Sequence, residues 1–319
     1  MSSVEIPVRV ARIDAVSDHI KRVRLVRTDG LPLPPYSAGS HILVNMRVGS
    51  KAIKNPYSLM GPLHDTSCYE ITVLRTVSSR GGSRFVHEHL RAGALISISP
   101  PVNLFSLDLR ARKHLLVAGG IGITPIMAMA AQLSALGALF ELHYCTRTHT
   151  SGAYIDELKT TYGSRLYHYD SARTGRLDVA RLLNQQPLGT HLYVCGPHAM
   201  ITDVMRLATD AGWPTQHVHA EHFTAPIGGE PFEVKLRKSG RTIHVKQEES
   251  ILQALENAGL EPPYLCRGGA CGQCETSVVG HDGRIDHADH YLTDEEKQSG
   301  HKIMICVSRL KGSCITLDM

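Results

Sequence analysis

The sequence predicts a multidomain chain: a small antiparallel β-barrel, an α/β domain built on a parallel sheet, and a third, C-terminal domain that opens on a hairpin. Three observations carry this. Residues from Val8 to about Ser99 form short β-rich runs broken by turn signals. From Lys113 onward, apolar strands alternate with helical stretches, the pattern of a parallel sheet with crossover helices. A short segment rich in Gly and Pro, Thr224 to Pro231, then separates a new set of strands. The expected boundaries are 1–108, 109–225 and 232–319. At 319 residues the chain is too long for a single core.

In the first domain, Val8–Ile13, Val23–Val26, Ile42–Met46, Tyr69–Leu74 and Leu95–Ile98 are the strand candidates, with Pro32, Pro34 and Pro35 breaking between two of them. Closure into a barrel hides strand edges. In the second, Leu115–Ala118, Phe140–Tyr144, Arg165–Tyr169 and His191–Val194 are strands. Residues 154–162, 178–184 and 198–211 are helical, and a last strand runs from Val218 to Phe223. In the third, Phe232–Leu236 and Thr242–Val245 flank the turn Ser239-Gly240, and Ser250 caps a helix that ends at Gly259.

Composition excludes several classes. With 42% hydrophobic and 20% charged residues, the chain has the make-up of a globular protein. Its net charge of +4 comes without a basic run interleaved with aromatics, so no nucleic-acid partner is expected. The start Met1-Ser2-Ser3-Val4-Glu5 lacks the apolar stretch of a signal peptide, which points to a cytoplasmic location. Leu115 to Phe140 carries no charge over a length that would span a bilayer. Gly119-Gly120 and Pro125 interrupt it, so the expectation is a buried strand and a helix with Pro125 at the first helical position, and no membrane contact.

The motif with most chemistry is Cys266-Arg267-Gly268-Gly269-Ala270-Cys271-Gly272-Gln273-Cys274, answered by Cys306. Four residues separate Cys266 from Cys271, two separate Cys271 from Cys274, and thirty-one precede Cys306. This is the ligand spacing of a plant-type [2Fe–2S] centre. A zinc site is usually built from two close Cys pairs, and a disulfide framework suits short secreted chains. Gly268, Gly269 and Gly272 are expected to give the loop its φ freedom. Arg267 and Gln273 are candidates for facing a partner or tuning the sulfurs.

Two glycine turns follow strands of the second domain. Gly119-Gly120-Ile121-Gly122-Ile123-Thr124-Pro125 opens a helix, where amides and the helix dipole suit a pyrophosphate. Cys195-Gly196-Pro197 ends another strand at the same carboxyl edge, where ligands of open α/β sheets bind. In the barrel, Asn55-Pro56-Tyr57-Ser58-Leu59 sets a ring beside a hydroxyl, and Arg80-Gly81-Gly82-Ser83 precedes a short helix. Alone, the first means little, since a Tyr-Ser pair in a strand usually serves packing and solvation, and the second reads equally as an ordinary capped helix.

In this order the motifs resemble the phthalate dioxygenase reductase family, the one-chain reductases of Rieske oxygenases, over essentially the whole chain. Asn103-Leu104-Phe105, Ala111-Arg112-Lys113 and Leu317-Asp318 add to the likeness. The resemblance implies that the last domain is a β-grasp plant-type ferredoxin domain, the first a flavin domain and the second an NAD domain. It implies hydride transfer from NADH to a flavin and single-electron transfer through a [2Fe–2S] cluster to a Rieske-type terminal oxygenase. A flavin is needed there because nicotinamide gives two electrons together and the cluster takes one.

The resemblance further implies that Tyr57 packs on the flavin, that Ser58 bonds near its N5, and that Asn55, Leu59 and Arg80 to Ser83 complete its site. Gly120, Gly122, Thr124, Pro125, Cys195, Gly196, Pro197 and Arg147 fall along the nucleotide's path, with Glu221 and Phe223 beside the flavin. Ser58, Cys195, Glu221 and Phe223 are the implied catalytic residues. Many relatives have Arg where Asn55 stands and a basic residue where Leu74 stands, which bears on flavin affinity; FMN is expected over FAD and NADH over NADPH.

Other clusters carry less. His217, His219 and His222 lack acidic or Cys partners at ligand spacing. His281, His287 and His290 with Asp282, Asp286 and Asp289 read as a solvated loop, and Cys68, Cys145 and Cys314 as packed or free thiols. Competing functions are an iron–sulfur carrier or redox sensor with a vestigial nucleotide domain, and the same reductase serving a diiron oxygenase or a separate ferredoxin.

Overall fold

The computed structural model describes residues 5–48, 51–76, 81–223 and 228–319. It divides into two compact units, residues 3–222 and 223–319.

The first unit begins with strands β1 (Ile6–Ser17), β2 (Ile20–Arg27), β3 (Ser40–Val48), β4 (Lys51–Met60) and β5 (Tyr69–Leu74), helix α1 (Gly82–Glu88), and strands β6 (Leu95–Ile98) and β7 (Val102–Asn103). In the order β4-β5-β2-β1-β6-β3, with β3 pairing back onto β4, six antiparallel strands close a barrel and β7 adds outside β3. Alternation drives this: Ile6, Val8 and Val10 turn inward while Pro7 and Arg9 stay exposed. Val23, Leu25, Ile42, Val44, Leu59 and Ile71 join them in the barrel core. Strand β4 was not among the expected strands, because Pro56 interrupts its pattern. Pro56 is tolerated since β5 pairs with β4 only at Leu59 and Met60.

The unit continues through β8 (Lys113–Gly119), α2 (Ile123–Ala135), β9 (Phe140–Thr146), α3 (Ile155–Tyr162), β10 (Leu166–Asp170), α4 (Val179–Asn184), β11 (Thr190–Cys195), α5 (His198–Asp210) and β12 (Val218–Glu221). These strands form a parallel sheet in the order β10-β9-β8-β11-β12, so the strand order reverses between β8 and β11. One face, with Leu115, Val117, Leu192 and Val194, packs with residues of α4 and α5. The other, with Leu116, Ala118, Tyr193 and Cys195, packs on α2 and shares its core with Ile20, Ala38 and Phe105 from the barrel side. The uncharged segment 115–140 is thus a buried strand and helix, and no helix among the described residues is long and apolar enough to cross a membrane. Pro125 is the third residue of α2 rather than the first. Its missing N–H is harmless there, because the first four amides of a helix have no intrahelical acceptor.

The second unit comprises β13 (Phe232–Leu236), β14 (Thr242–Val245), α6 (Ile251–Asn257), β15 (Glu275–His281), β16 (Arg284–Asp286), α7 (Asp294–Ser299), β17 (Lys302–Met304), β18 (Arg309–Lys311) and β19 (Cys314–Leu317). Its sheet runs β14-β13-β19-β15-β17 with β13 and β19 parallel at the centre, the β-grasp arrangement. Ser250 Oγ accepts from the Gln253 amide at 3.1 Å, and Gly259 leaves the helix at φ +78°. Of the expected linker, Thr224 to Ile227 lie outside the described residues. The rest is tied down: Gly229 donates to the Gln247 carbonyl at 3.0 Å, and Arg309 donates to the carbonyls of Gly229 and Glu230.

Candidate functional site

In the second unit, the loop from Cys266 to Cys274 leads straight into β15. The register Glu275↔Met304 between β15 and β17 sets Cys274 beside the turn that carries Cys306. Cys266, Cys274 and Cys306 are buried and Cys271 is half-buried. Cys266 hydrogen-bonds with Cys271 and Cys274 with Cys306, so the four sulfurs gather in two touching pairs. Within each pair the accepting sulfur is favoured as thiolate and the donating one as thiol: the bond from Cys271, with backbone amides of Gly268, Ala270 and Cys271, lowers the Cys266 thiol and raises Cys271, as the bond to Cys274 raises Cys306. Thiolates are the form that ligates iron. Four converging sulfurs fed by backbone amides fit the [2Fe–2S] donor set.

The loop's geometry demands glycine at two positions. Gly269 has φ +75°, and a Cβ there would meet Val307 at 2.7 Å and the Asp289 Cα at 3.0 Å. Gly272 has φ +77°, and a Cβ would fall 2.3 Å from the Tyr291 ring. Gly268 was expected to share this role, but its φ is not positive; Arg267 takes the left-handed conformation instead, at φ +54°. Arg267 does not face a partner, either. It is 9% exposed, forks onto Glu256 at 2.8 and 2.6 Å and lies 4.6 Å over the Tyr264 ring. A bidentate pair and a stacked ring hold the strained backbone in place. Gln273 is exposed.

The run from His287 to Leu292 is not the solvated loop its polarity suggested. Asp289 is 3% exposed and accepts from the Leu292 amide at 3.0 Å and the Ser308 hydroxyl at 3.1 Å, with His287 Nδ1 at 3.4 Å and Lys297 Nζ at 3.9 Å. Burial opposes its ionisation, yet these neighbours hold the carboxyl down at about 2. The His290 amide donates to the Gly269 carbonyl at 3.0 Å. This strap therefore braces the cysteine loop, and polarity alone misread it because its acid is paired inward.

In the first unit, the two glycine turns meet at the carboxyl edge of the parallel sheet. A Cβ on Gly122 would sit 2.3 Å from the Cys195 carbonyl oxygen, and one on Gly196 would sit 3.0 Å from the Gly119 Cα. Only bare backbone fits there, which leaves the edge open to a ligand's phosphates. Tyr144 donates to the Gly120 carbonyl at 3.1 Å and accepts from the Ala153 amide at 2.9 Å, bracing Gly120 at φ +53°. Thr124 Oγ1 turns back to the Ile121 carbonyl at 3.1 Å, and Pro125 is buried behind it. Cys195 is fully buried, which pushes its thiol well up. Opposite it in register stands Glu221, whose Oε2 is buried with no partner among the described residues. Burial raises its carboxyl to about 8. Arg147 is exposed just past the end of β9, and Phe223, 48% exposed, lies two residues beyond β12, which ends at Glu221 rather than at Phe223.

On the barrel, β4 carries Asn55, Tyr57, Ser58 and Leu59, and α2 packs against this strand. Leu59 points into the barrel core. Among the described residues, Ser58 Oγ is buried without a partner, and Tyr57 Oη, near Asn55, makes no well-formed hydrogen bond. Burial pushes the Tyr57 phenol up to about 12. A Cβ on Gly82 would overlap the Asn55 side chain, so Asn55 and the start of α1 close on each other. Gly81 caps that helix at φ +118°, and Ser83 Oγ holds Thr76 Oγ1 at 3.1 Å. Arg80 lies outside the described residues. Orphaned hydroxyls beside a glycine-lined helix start fit a ring system with hetero-atoms and a phosphate. His41, facing Ser58 across the ladder with its Nε2 also without a partner among the described residues, escaped the sequence reading because strand pairing is invisible there.

Comparison with known proteins agrees with this geometry. Residues 94–218 match the family of dimethylamine monooxygenase subunit DmmA-like N-terminal domains, and residues 234–311 match the 2Fe-2S iron-sulfur cluster binding domain. A heme-dependent oxidative N-demethylase beta subunit from Ectopseudomonas mendocina is 47% identical over 90% of each chain. The Escherichia coli carnitine monooxygenase reductase subunit is 42% identical over 98% of each chain. The crystal structure of phthalate dioxygenase reductase superposes with a TM-score of 0.88 at 35% identity, over 99% of this chain and 98% of that one. The chain belongs to the phthalate dioxygenase reductase family. Like that structure, it joins an antiparallel barrel, a parallel nucleotide sheet and a 2Fe-2S domain in one polypeptide. Membership in the phthalate dioxygenase reductase family makes it an oxidoreductase.

Proposed function

We propose that this reductase takes hydride from NADH onto a flavin and passes electrons singly through its [2Fe–2S] cluster to an oxygenase component. The observation that carries it is the gathering of four cysteine sulfurs in a chain that also brings two bare glycine turns together at a sheet's carboxyl edge. When bound, the flavin supplies the conversion from two-electron to one-electron transfer.

The chain's own residues then have assigned parts. Gly120, Gly122 and Thr124, with Cys195, Gly196 and Pro197, bind the nicotinamide nucleotide, and Pro125 fixes the first turn of α2. Tyr57 stacks on the flavin and Ser58 hydrogen-bonds its edge. Asn55, Leu59 and residues 80–83 complete that site. Glu221, held neutral below about pH 8 by burial, keeps a proton at its carboxyl beside the reacting rings. Phe223 is assigned as the aromatic that goes with the flavin, and Cys195 keeps water from the hydride path by its full burial. Cys266, Cys271, Cys274 and Cys306 ligate iron. We assign FMN rather than FAD, NADH rather than NADPH, domains at 1–108, 109–225 and 232–319, and a cytoplasmic setting that keeps the eight free cysteines reduced.

The family resemblance supports a Rieske-type terminal oxygenase as the acceptor. A second reading, a heme-dependent N-demethylating oxygenase, is favoured by the relative at 47% identity, whose name states that dependence. Reconstituting NADH-driven turnover with a Rieske-type and with a heme-dependent oxygenase decides between them. The Rieske assignment expects turnover with the first, and turnover confined to the second overturns it. Release of the flavin and its chromatographic identification tests FMN.

A further inference from the structure

One hydroxyl pair ties the barrel to the nucleotide sheet. Tyr154 precedes α3 at φ +61°, and it and Arg267 are the two non-glycine residues in the left-handed region among those described. A bulky residue held there is strained. Its own helix does not explain it: the residue at this position usually caps the first amides with its side chain, and Tyr154 makes no such bond. Its hydroxyl instead lies 2.6 Å from Thr72 Oγ1 of β5, eighty-two residues back in the chain. Thr72 is 5% exposed, and Arg22, which faces it across the ladder of β2 and β5, sets its guanidinium 5.9 Å over the Tyr154 ring.

Both ends of this bond lead to an assigned site. The amide of Ala153, next to Tyr154, donates to Tyr144 Oη at 2.9 Å, and Tyr144 donates to the Gly120 carbonyl at 3.1 Å in the first glycine turn. On the barrel, Ile71 beside Thr72 faces Leu59 across the ladder of β4 and β5, and Leu59 follows Tyr57 and Ser58. Thr72 leaves the outer face, since Tyr69, Ile71 and Val73 fill the barrel core, while Tyr154 and Leu74 pack on the core shared with α2 and the sheet. Apolar packing there tolerates small sliding, whereas a hydroxyl pair is directional and fixes register.

We propose, on the flavin and nucleotide assignments above, that Tyr154 is a positioning residue for hydride transfer: its bond to Thr72 sets where the glycine turn holds the nicotinamide nucleotide relative to the strand that holds the flavin. Tyr154 moves no proton and no electron. It acts through Ala153, Tyr144 and Gly120 on one side and through β5 on the other. The left-handed conformation is kept because it aims the ring at β5 rather than along α3, and glycine, which takes that conformation freely, has no ring to aim.

Tyr154→Phe keeps the ring and removes only the hydroxyl, and Thr72→Val removes the other half of the bond. In anaerobic mixing of the full-length protein with NADH, the limiting rate of flavin bleaching falls by about tenfold in either variant, while the half-saturating NADH concentration stays within about twofold. The double variant falls no further than either single one, because the same bond is lost in all three. Melting temperatures stay within about 4 °C of the unaltered protein, so the slower transfer is not unfolding. A readout without turnover accompanies these: in flavin-free protein, amide exchange over residues 148–155, followed by mass spectrometry, rises by about tenfold in Tyr154→Phe. An unchanged bleaching rate, a half-saturating concentration that rises while the limiting rate holds, additive losses in the double variant, or unmoved exchange overturns the role of Tyr154. Thr72→Val decides by the same measurements if Tyr154→Phe fails to fold. Unaltered protein whose flavin NADH does not bleach overturns the assignment beneath it.

Discussion

Glu221→Gln tests how the carboxyl edge of the nucleotide sheet is built. Glu221 stands opposite Cys195 in register, and its buried Oε2 has no partner among the described residues. Burial raises its carboxyl to about 8 in the folded unit, against roughly 4.3 in an unfolded chain. Between those values the folded state binds the proton that the unfolded state has lost. Stability is therefore greatest at low pH, falls as pH rises through the window from about 4.3 to about 8, and levels off above it. At about 1.4 kcal/mol per pH unit, the full fall is bounded near 5 kcal/mol. Relaxation and water entry around a buried charge reduce that, so about 2–3 kcal/mol is expected. Glutamine keeps the side chain's size and removes the titration. In urea unfolding of the flavin-free protein, Glu221→Gln is expected to gain about 2–3 kcal/mol at pH 8.5 and almost nothing near pH 5. Parallel pH profiles for the two proteins would refute the reasoning, because they would mean that Glu221 is ionised at no cost.

Four further variants have outcomes that follow from the structure. Cys274→Ser abolishes the cluster's visible and EPR signals while NADH still bleaches the flavin, because the cysteine loop and the flavin site lie in separate compact units. Gly122→Ala drives a Cβ to 2.3 Å from the Cys195 carbonyl, with backbone on both sides, and lowers stability by about 2 kcal/mol or more while raising the KM for NADH. Gly120→Ala meets no atom within 4 Å and costs only about 1 kcal/mol for its φ of +53°, so thermal melts of the pair separate crowding from backbone conformation. Glu256→Gln leaves the buried Arg267 guanidinium without its bidentate partner and costs about 3 kcal/mol, read as a lower melting temperature of the cluster-bearing unit and faster loss of its visible absorbance.

Local pattern made much of this legible in advance. The strands of the parallel sheet are apolar runs bounded by glycine, and the helix cap at Ser250 needs only three residues to be recognised. The cysteine spacing encodes its ligand set directly. What stayed hidden depends on pairing across the chain. Strand β4 was obscured by Pro56, which only its neighbours in the ladder make acceptable. The left-handed Arg267 became understandable once Glu256 and Tyr264 were seen to hold it. Asp289 reads as a surface acid until Ser308 and the Leu292 amide are found on it. His41 carries no signal at all in one dimension, since its partner position lies in another strand.

The central claim is that one chain converts a two-electron donor into single-electron output. An anaerobic titration with NADH, followed together by visible absorbance and EPR, measures it most directly. The account predicts bleaching of a flavin and, with it, the signal of a reduced [2Fe–2S] centre. A protein that stays oxidised under NADH, or one whose flavin bleaches while the cluster gains no electron, would contradict it.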